Sequence, residues 1–179
     1  MPRAYEYTQE RIDIYDRDRH YTGRSKPRHG EGSRLSPDEY MLYALALIEN
    51  DSGEFLITQR TMDKKWAPGA WEIPGGGVDS GETSREAADR EAYEETGIRV
   101  QGVRPVSVYT YRNDDAEGGD NYFCDIYHFR LDFKPGQVRV EADEVSSWRL
   151  APFSEITRLA QCDGFLHYKR ICEALGAEK

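Results

Sequence analysis

The chain has 179 residues, of which 38% are hydrophobic and 32% are charged, and its formal net charge is −9. This length fits one domain with an ample core, and no apolar run approaches the roughly 18 residues that a membrane-spanning helix needs. Because binding to nucleic-acid backbones requires a basic surface, we expect neither a stable nucleic-acid partner nor a membrane partner.

The cysteine spacing and the first residues bear on the compartment. Cys124, Cys162 and Cys172 lack the spacing of a metal site or a disulfide framework, so we expect reduced thiols in or near the core. The first 16 residues contain no apolar stretch of the kind found in secretory signals. These features predict a cytoplasmic protein, and they leave a homodimer open.

We interpret the N-terminal region, residues 1–38, as a hairpin followed by a basic loop. Residues 12–15 alternate like a short strand, residues 16–23 are typical of a turn or hairpin, and residues 25–38 are typical of a loop. Between positions 24 and 34 a single acid, Glu31, accompanies four cations, namely Arg24, Lys26, Arg28 and Arg34. This excess of positive charge indicates either contact with phosphates or a solvated loop, and the solvated loop is the simpler interpretation.

The middle of the chain predicts a buried strand, a strand pair and then a glycine loop. Residues 40–48 form the most apolar run, which is long enough for a central strand buried on both faces. A turn at 50–53 would let residues 54–60 pair back as a strand. Residues 71–73 predict a short strand, and residues 74–77 predict a tight loop, because glycine tolerates backbone angles that other residues avoid.

An acidic helix follows the glycine loop. Ser80 or Thr83 would cap its first turn, and Gly97 would end it. Three of its acids have i, i+3 and i+4 spacing: Glu91, Glu94 and Glu95. The helix would therefore project all three carboxylates from one face, where like charges repel. A cation should face them, and oxygen-only ligands suit Mg²⁺ or Mn²⁺.

A solvated acidic face is the alternative interpretation of this helix. Such a face needs neither a glycine loop in front of the helix nor a second acid, Glu82, at a fixed distance from Arg90. The surroundings of the three acids therefore favour a metal site.

The remainder of the chain predicts further strands and two terminal helices. Residues 99–111 and 122–133 alternate like strands, and the acidic loop between them is long enough to cover a site. A last strand begins at Trp148, and helical patterns occupy residues 152–175. The order of elements predicts an α/β protein with a mixed sheet between helical layers, and one domain over residues 1–179.

Residues 76–98 follow the pattern G-x5-E-x7-R-E-A-x-E-E-x-G-I. This stretch resembles the Nudix box, in which bulky aliphatic residues occupy the positions of Ala92 and Ile98, and Ala92 is smaller than usual. All fixed positions match: Gly76, Glu82, Arg90, Glu91, Glu94, Glu95 and Gly97. The resemblance implies the Nudix-type α/β/α sandwich. Outside the box, several stretches are similar to the Nudix subgroup of isopentenyl diphosphate isomerase, namely residues 12–24, 63–65, 68–71 and Glu144-Val145 with Trp148.

The resemblance also implies roles for the residues of the box. The ligands of Mg²⁺ or Mn²⁺ would be Glu91, Glu94, Glu95 and the Gly76 carbonyl. Arg90 would pair with Glu82 and so support the loop. The loop amides could donate to a phosphate, as helix N-termini do, and they belong to Gly75, Gly76 and Gly77.

The general base is open at this point. It would be a box glutamate, such as Glu94, or an acid of the later loop at residues 141–144. We favour Glu144 because it resembles the acid that precedes a Val and a Trp in the family, and a solvated loop acid is the alternative. The catalytic set that the sequence predicts is therefore Glu94 and Glu144, with Arg90 as support.

Three functions compete. The first is a hydrolase that cleaves the diphosphate of a nucleoside diphosphate linked to another moiety. The second is an isopentenyl diphosphate isomerase, whose relatives use a cysteine and several histidines, whereas residues 71–78 contain neither. The third is a noncatalytic ligand-binding module, which would usually lose box acids that this chain keeps. We therefore favour the hydrolase. Six aromatic residues could stack on a base or fill the core: Tyr40, Trp66, Trp71, Tyr109, Tyr111 and Tyr122.

Overall fold

The computed structural model describes residues 10–162 and 164–176. Nine strands form, at Arg11–Tyr15 (β1), Tyr21–Pro27 (β2), Met41–Glu49 (β3), Glu54–Arg60 (β4), Trp71–Glu72 (β5), Gly75–Gly77 (β6), Ser107–Asn113 (β7), Tyr122–Arg130 (β8) and Val145–Pro152 (β9), counted over the described residues. The helices in the same ranges are Ser84–Thr96 (α1), Phe153–Cys162 (α2) and Tyr168–Leu175 (α3). One short 3-10 turn lies at Pro135–Gln137.

Seven strands form one mixed sheet, which confirms the predicted fold class. The order is β5-β4-β3-β8-β7, with β6 paired to β3 and β9 paired to β4. The central pair, β3 and β8, is parallel from Met41↔Tyr122 to Glu49↔Arg130. The other pairs in this sheet are antiparallel. The long connection between β3 and β8 contains α1, as a parallel pair requires.

The central strand β3 contributes to a core on each face of the sheet, as its apolar run predicts. Ala44, Ala46 and Ile48 belong to a cluster with the α1 residues Ala88 and Ala92. The side chains that alternate with them, Leu45 and Leu47, belong to a second cluster with residues of α2 and α3. Helices therefore cover both faces, in an α/β/α arrangement. Ala92 is fully buried, and its small side chain lets α1 lie close to the sheet.

The expected hairpin between β3 and β4 forms only at its base. Glu49↔Phe55 is the single register pair described for these strands. Beyond it β4 pairs along its length with β9, from Glu54↔Pro152 to Arg60↔Val145, and β6 occupies the vacated edge of β3. The two strands thus diverge within one sheet, which opens a gap between them.

Two predicted strand boundaries are wrong for a local reason. The strand predicted over 99–111 starts only at Ser107, and β8 ends at Arg130 instead of residue 133. The segment before Ser107 is held by α1, because the Asp89 carboxylate accepts from the Val100 and Gln101 amides at 2.8 and 2.7 Å. Because these two amides donate to a side chain of α1, they do not take part in strand pairing.

The N-terminal hairpin forms from β1 and β2, while residues 1–9 of the predicted N-terminal region lie outside the described residues. Strand β2 extends to Pro27, so the loop predicted from residue 25 begins later. The four cations of this region are bonded within the fold: Arg24 and Lys26 to Glu39, Arg28 to Asp79, and Arg34 to the Glu117 carbonyl. Arg24, Lys26 and Arg28 therefore tie the hairpin to Glu39 and Asp79, while Arg34 ties the following loop to residue 117.

Candidate active site

The glycine segment before α1 is a strand, so the predicted tight loop is wrong. Ala44 pairs with Gly76, and the φ angles of Gly75, Gly76 and Gly77 all lie outside the left-handed region. Glycine is required here for space. A Cβ on Gly75 would lie 2.6 Å from the Ala44 carbonyl oxygen, and one on Gly76 would collide with the Glu91 carboxylate. The bare backbone lets the helix carboxylate approach the strand.

Helix α1 begins as its sequence predicts. Thr83 is the N-cap: its hydroxyl accepts from the Glu86 amide, and the Glu86 carboxylate accepts from the Thr83 amide in return. Gly97 ends the helix in the left-handed conformation, at φ 73°. Both ends are therefore fixed by local chemistry, which sets the rotation at which α1 presents its acids.

Arg90 joins the glycine strand to the helix. Its Nε and Nη2 donate to the two carboxylate oxygens of Glu82, each at 3.0 Å, which confirms the predicted pair. Nη2 also donates to the Gly77 carbonyl at 3.0 Å, and Nη1 donates to Glu91 at 2.7 Å and to Glu94 at 3.2 Å. Burial acts to lower the pKa of Arg90, but the hydrogen bonds and charges of Glu82 and Glu91 outweigh it and raise the pKa above its usual range. The guanidinium therefore stays protonated.

The three helix acids do not share one environment. The Glu91 side chain is 13% exposed and Glu95 is 8% exposed. The Glu94 side chain is 52% exposed, and it pairs with Arg90 on the solvent side of the helix. The prediction of one common face therefore holds for Glu91 and Glu95, at i and i+4, and Glu94 lies at its edge.

Glu95 is the most perturbed acid of the site. Its Oε2 is buried without a hydrogen-bond partner among the described residues. Burial raises its pKa well above the ordinary value, and the charges of Glu72, Glu91 and Glu144 raise it further, while the Gly75 amide opposes them. Burial also raises the pKa values of Glu72 and Glu91. We call Glu72, Glu91, Glu95 and Glu144 the acidic cluster.

The structure brings Glu144 to the box although it is far away in sequence. The Thr61 amide, at the end of β4, donates to the Glu144 carbonyl at 3.3 Å, and Lys64 Nζ bonds the Glu144 carboxylate. The pairing of β4 with β9 makes this approach possible. Glu141, the other loop acid, is exposed.

The acidic cluster has the ligand chemistry of a divalent-cation site. In residues 10–162 and 164–176, however, no group of three or more Asp, Glu, His or Cys side chains is arranged to hold a metal ion, and Arg90 occupies one oxygen of Glu91. Arg90, Arg60 and Lys64 each pair with one of the surrounding carboxylates, those of Glu91, Glu72 and Glu144, whereas Glu95 Oε2 has no hydrogen-bond partner among the described residues. Oxygen ligands of this kind, on a rigid helix and strand, suit Mg²⁺ or Mn²⁺.

A cavity of about 490 Å³ is lined by residues of β3, β5, β6 and β8, and by Arg60 at the end of β4. Glu72, Gly75 and Gly76 line it, so the acidic cluster adjoins this cavity. Arg60 also lines it and donates to Glu72 Oε1 at 3.0 Å, and its guanidinium lies 5.4 Å from the ring centre of Trp66. Of the six aromatic residues that the sequence offers, Trp66 and Tyr122 line the cavity. Tyr40, Trp71 and Tyr111 are buried in the core.

Several residues of the cavity were not predicted as site residues, among them Arg60, Glu72 and His167. Glu72 is an acid on the strand that leads into the glycine segment, and this signal could have identified it. Nothing in the sequence indicates that Arg60 or His167 would reach the same cavity, because β4 and the start of α3 are far apart in the chain. Cys124 lines the cavity as well, and burial raises the pKa of its thiol to about 12.

Together, the fold and this arrangement define an enzyme that acts on acid anhydrides in phosphorus-containing compounds. A family model described as the NUDIX domain matches residues 39–170, and the chain belongs to the Nudix family, among its pyrophosphohydrolases. Nudix hydrolases generally need divalent cations and act on small-molecule substrates.

Relatives and solved structures agree with this assignment. An uncharacterized Nudix hydrolase of Listeria monocytogenes is 29% identical over 160 residues, which are 89% of each chain. An isopentenyl-diphosphate Delta-isomerase of Salmonella heidelberg is 29% identical over 110 residues, which are 60% of this chain and 59% of that protein. The similarity to the isomerase subgroup is therefore partial.

Two solved structures, each 22% identical to this chain, show the same fold. A Deinococcus radiodurans protein solved at 1.9 Å resolution has a TM-score of 0.64 and covers 86% of this chain and 90% of its own. A bifunctional NMN adenylyltransferase/ADP ribose pyrophosphatase of Francisella tularensis, complexed with AMP and a Mn ion, has a TM-score of 0.62 over 76% of this chain and 41% of its own. Among the described residues, no helix has the length and apolarity to cross a membrane.

Proposed function

We propose that this protein is a divalent-cation-dependent hydrolase that cleaves the diphosphate linkage of a nucleoside diphosphate joined to another moiety. The observation that carries the proposal is the buried, unpartnered oxygen of Glu95 inside an acidic cluster that adjoins a cavity. A volume of about 490 Å³ falls within the range of small-molecule sites. The exposed ring of Trp66 on the same cavity supports a substrate with a planar base.

We assign Mg²⁺ or Mn²⁺ to the box acids Glu91, Glu94 and Glu95 and to the Gly76 carbonyl. When bound, such an ion neutralises diphosphate charge and acidifies a bound water. Arg90 holds Glu82 and the Gly77 carbonyl, and thereby keeps the glycine strand at a fixed distance from the helix acids. The predicted contact of the Gly75, Gly76 and Gly77 amides with a phosphate stays a prediction, and the Gly75 amide already faces Glu95.

We further propose that Glu144 is the general base. Its charge acts on both Glu72 and Glu95, so it lies within electrostatic reach of the place where a water would attack. Its carboxylate bonds Lys64, whose ammonium group holds it in place. An ionised carboxylate can accept the proton of the attacking water. Both Glu141 and Glu144 are exposed, but the Glu141 carboxylate has no hydrogen bond or ion pair with the cluster among the described residues, and only its carbonyl contacts the Glu144 amide, at 3.0 Å.

A hydrolysis screen tests this function. Purified protein is incubated with ADP-ribose, nucleoside diphosphate sugars, dinucleoside polyphosphates and nucleoside triphosphates, with Mg²⁺, with Mn²⁺ and with EDTA. We expect cleavage at a diphosphate that requires one of the two ions. On the best substrate, Glu144→Gln should lower kcat by about 100-fold, as expected for loss of a general base, while the matched variant Glu141→Gln stays within about twofold.

Two results would contradict the proposal. If no compound in the screen is cleaved with either ion, the hydrolase function is wrong. If Glu141→Gln loses activity and Glu144→Gln keeps it, the choice of base is wrong while the hydrolase function stands.

A further inference from the structure

The segment that precedes α3 is attached to the strand that carries Glu72. The Trp71 amide donates to the Gly164 carbonyl at 3.2 Å, and the Leu166 amide donates to the Trp71 carbonyl at 2.8 Å. These bonds extend the edge of the sheet by one short segment, which ends at His167. Since Glu72 is the next residue on β5, the imidazole of His167 and the carboxylate of Glu72 line the same cavity.

His167 has a backbone conformation that its residue type disfavours. Its φ is 59° and its ψ is 14°, in the left-handed region, where a residue other than glycine is strained by about 1 kcal/mol or more. It is also the N-cap of α3, yet its side chain makes no capping hydrogen bond. Asn, Asp or Gly would suit this position better. The local structure alone therefore gives no reason for a histidine, and the imidazole faces the cavity instead.

The hydrogen bonds of the imidazole are incomplete. Tyr111 Oη lies 3.0 Å from Nδ1, and this is the one hydrogen-bond partner that the described residues give the ring. Tyr111 is itself buried, and Arg170 lies 4.6 Å from its ring centre, so the phenol is held in place. When the Tyr111 hydroxyl donates to Nδ1, the ring proton is on Nε2, and that N–H has no hydrogen-bond partner among the described residues.

The ring is neutral at physiological pH. Burial lowers the pKa of His167 below its ordinary value, and the nearby charge of Arg60 lowers it further. A neutral imidazole that donates through Nε2 recognises an uncharged acceptor, such as a carbonyl oxygen or a ring nitrogen, better than a phosphate. The Trp66 ring, 60% exposed, lies on the same cavity and offers a surface on which a planar ring could stack.

We propose that His167 is a specificity-determining residue whose Nε2–H donates a hydrogen bond to an acceptor atom of the substrate's nucleobase, which stacks on Trp66. The inference rests on the proposed function, because the base would be that of the nucleoside diphosphate cleaved at the acidic cluster. Tyr111 is a positioning residue, because its hydroxyl holds the imidazole through Nδ1 and leaves Nε2 for the substrate. No covalent step is involved.

Steady-state kinetics with matched substrates test the proposal. The base-containing substrates are ADP-ribose, GDP-mannose, UDP-glucose and CDP-choline, and the best of them is used. P1,P2-di(ribose-5) diphosphate, which has the linkage but no base, is the control substrate. His167→Phe keeps an aromatic ring without a donor, and His167→Gln keeps an N–H donor. Thermal unfolding of both variants reports any loss of folding.

For the base-containing substrate, His167→Phe should raise KM about tenfold and change kcat less than twofold, as expected for one lost hydrogen bond with a buried partner. His167→Gln should recover most of this loss, and Tyr111→Phe should raise KM in the same direction. The base-free substrate should respond to none of the three variants. A purely structural role would lower kcat/KM for both substrates alike.

Different results would contradict the proposed function and the role of His167. If wild-type protein cleaves none of the five compounds with Mg²⁺ or Mn²⁺, the proposed function is wrong and the inference with it. If wild-type protein cleaves them but His167→Phe leaves KM unchanged, or shifts it equally for the base-free substrate, the inference alone is overturned.

Discussion

The Glu95 side chain combines deep burial, three neighbouring carboxylates and an oxygen without a partner among the described residues. Its pKa is raised, so the folded protein holds a proton on this group more tightly than the unfolded chain does. The free energy of unfolding therefore decreases as pH rises above about 4.3, the pKa of glutamate in the unfolded chain, because the unfolded chain then releases the proton more readily than the folded protein. A cation at the cluster would remove this loss of stability.

We therefore predict two effects of Glu95→Gln. Hydrolysis should fall by about 100-fold or more, because a ligand oxygen is lost from the site. Stability without metal should stay level or rise between pH 5 and 8, since the ionisation cost is gone. Thermal unfolding with and without Mg²⁺ measures the second effect, and the metal-dependent gain in Tm should shrink.

Glu31→Gln, a change at an exposed glutamate of the N-terminal region, is the matched control and should alter neither quantity. Wild-type turnover in Glu95→Gln would show that the site does not lie on this helix.

At the scale of elements, Arg90 is the connection between β6 and α1. It binds Glu82 through two hydrogen bonds and also contacts Gly77, Glu91 and Glu94. Arg90→Ala should therefore reduce stability and turnover more than Glu82→Ala does. Because the two residues are in contact, we expect a coupling of roughly 0.5–3 kcal/mol in a double-mutant cycle of urea unfolding.

The exposed pair Arg158–Glu155 on α2 is the control for this cycle. Its Nε–Oε2 distance is 2.8 Å, yet exposed pairs contribute little, so its coupling should be below about 1 kcal/mol. Strict additivity of Arg90→Ala and Glu82→Ala would contradict the pair that the structure contains.

The elements differ in how far the sequence predicts them. Helix α1 and strand β3 are specified locally, by the Thr83 cap, the Gly97 stop and a long apolar run, and both are confirmed. The glycine strand β6 is not, because it pairs with β3 only where β4 has moved away to β9. The pairing of β4 with β9 joins segments about ninety residues apart, so no local sequence pattern predicts it.

The candidate site follows the same rule. The box acids and the Arg90–Glu82 pair are near one another in sequence, so their approach could be inferred from spacing and from a resemblance. Arg60 and His167 reach the cavity through strand pairing and the attachment of residues 164–166 to β5, and both were missed. Long-range pairing therefore decides which side chains complete the cavity.

At the scale of the whole molecule, Glu39 joins the N-terminal hairpin to the main sheet. Its buried carboxylate accepts from Lys26, from Arg24 at 2.7 Å and from the Ser36 amide at 2.9 Å. Burial acts to raise its pKa, but these bonds prevail and lower the pKa to about 2. The carboxylate therefore stabilises the fold above pH 4.3, its unfolded value, and this contribution is lost as pH falls towards 2.

We predict that wild-type protein loses about 2 kcal/mol of unfolding free energy relative to Glu39→Gln between pH 6 and pH 2.5, because the variant has no carboxylate to protonate. Urea unfolding at several pH values measures the difference between the two proteins. Parallel curves over this range would mean that the hairpin is not held by an ionised Glu39. Glu31→Gln should follow the wild-type curve.

The partial similarity to isopentenyl-diphosphate Delta-isomerases raises a last question about the molecule as a whole. Isomerisation needs a proton delivered to one carbon and removed from another, so two acid–base groups must flank an apolar chain. Cys124 is the cysteine that lines the cavity, but burial raises the pKa of its thiol to about 12, so it is not ionised near neutral pH. It cannot serve as the base.

We therefore predict that the protein does not convert isopentenyl diphosphate into dimethylallyl diphosphate. The measurement is NMR of isopentenyl diphosphate incubated with protein and Mg²⁺, with an enzyme-free sample and Glu91→Gln as references. The same preparation should cleave the best diphosphate of the hydrolysis screen, which shows that the protein is active. Dimethylallyl diphosphate above the enzyme-free level, lost in Glu91→Gln, would establish isomerase chemistry at this site and overturn the exclusion based on the Cys124 thiol.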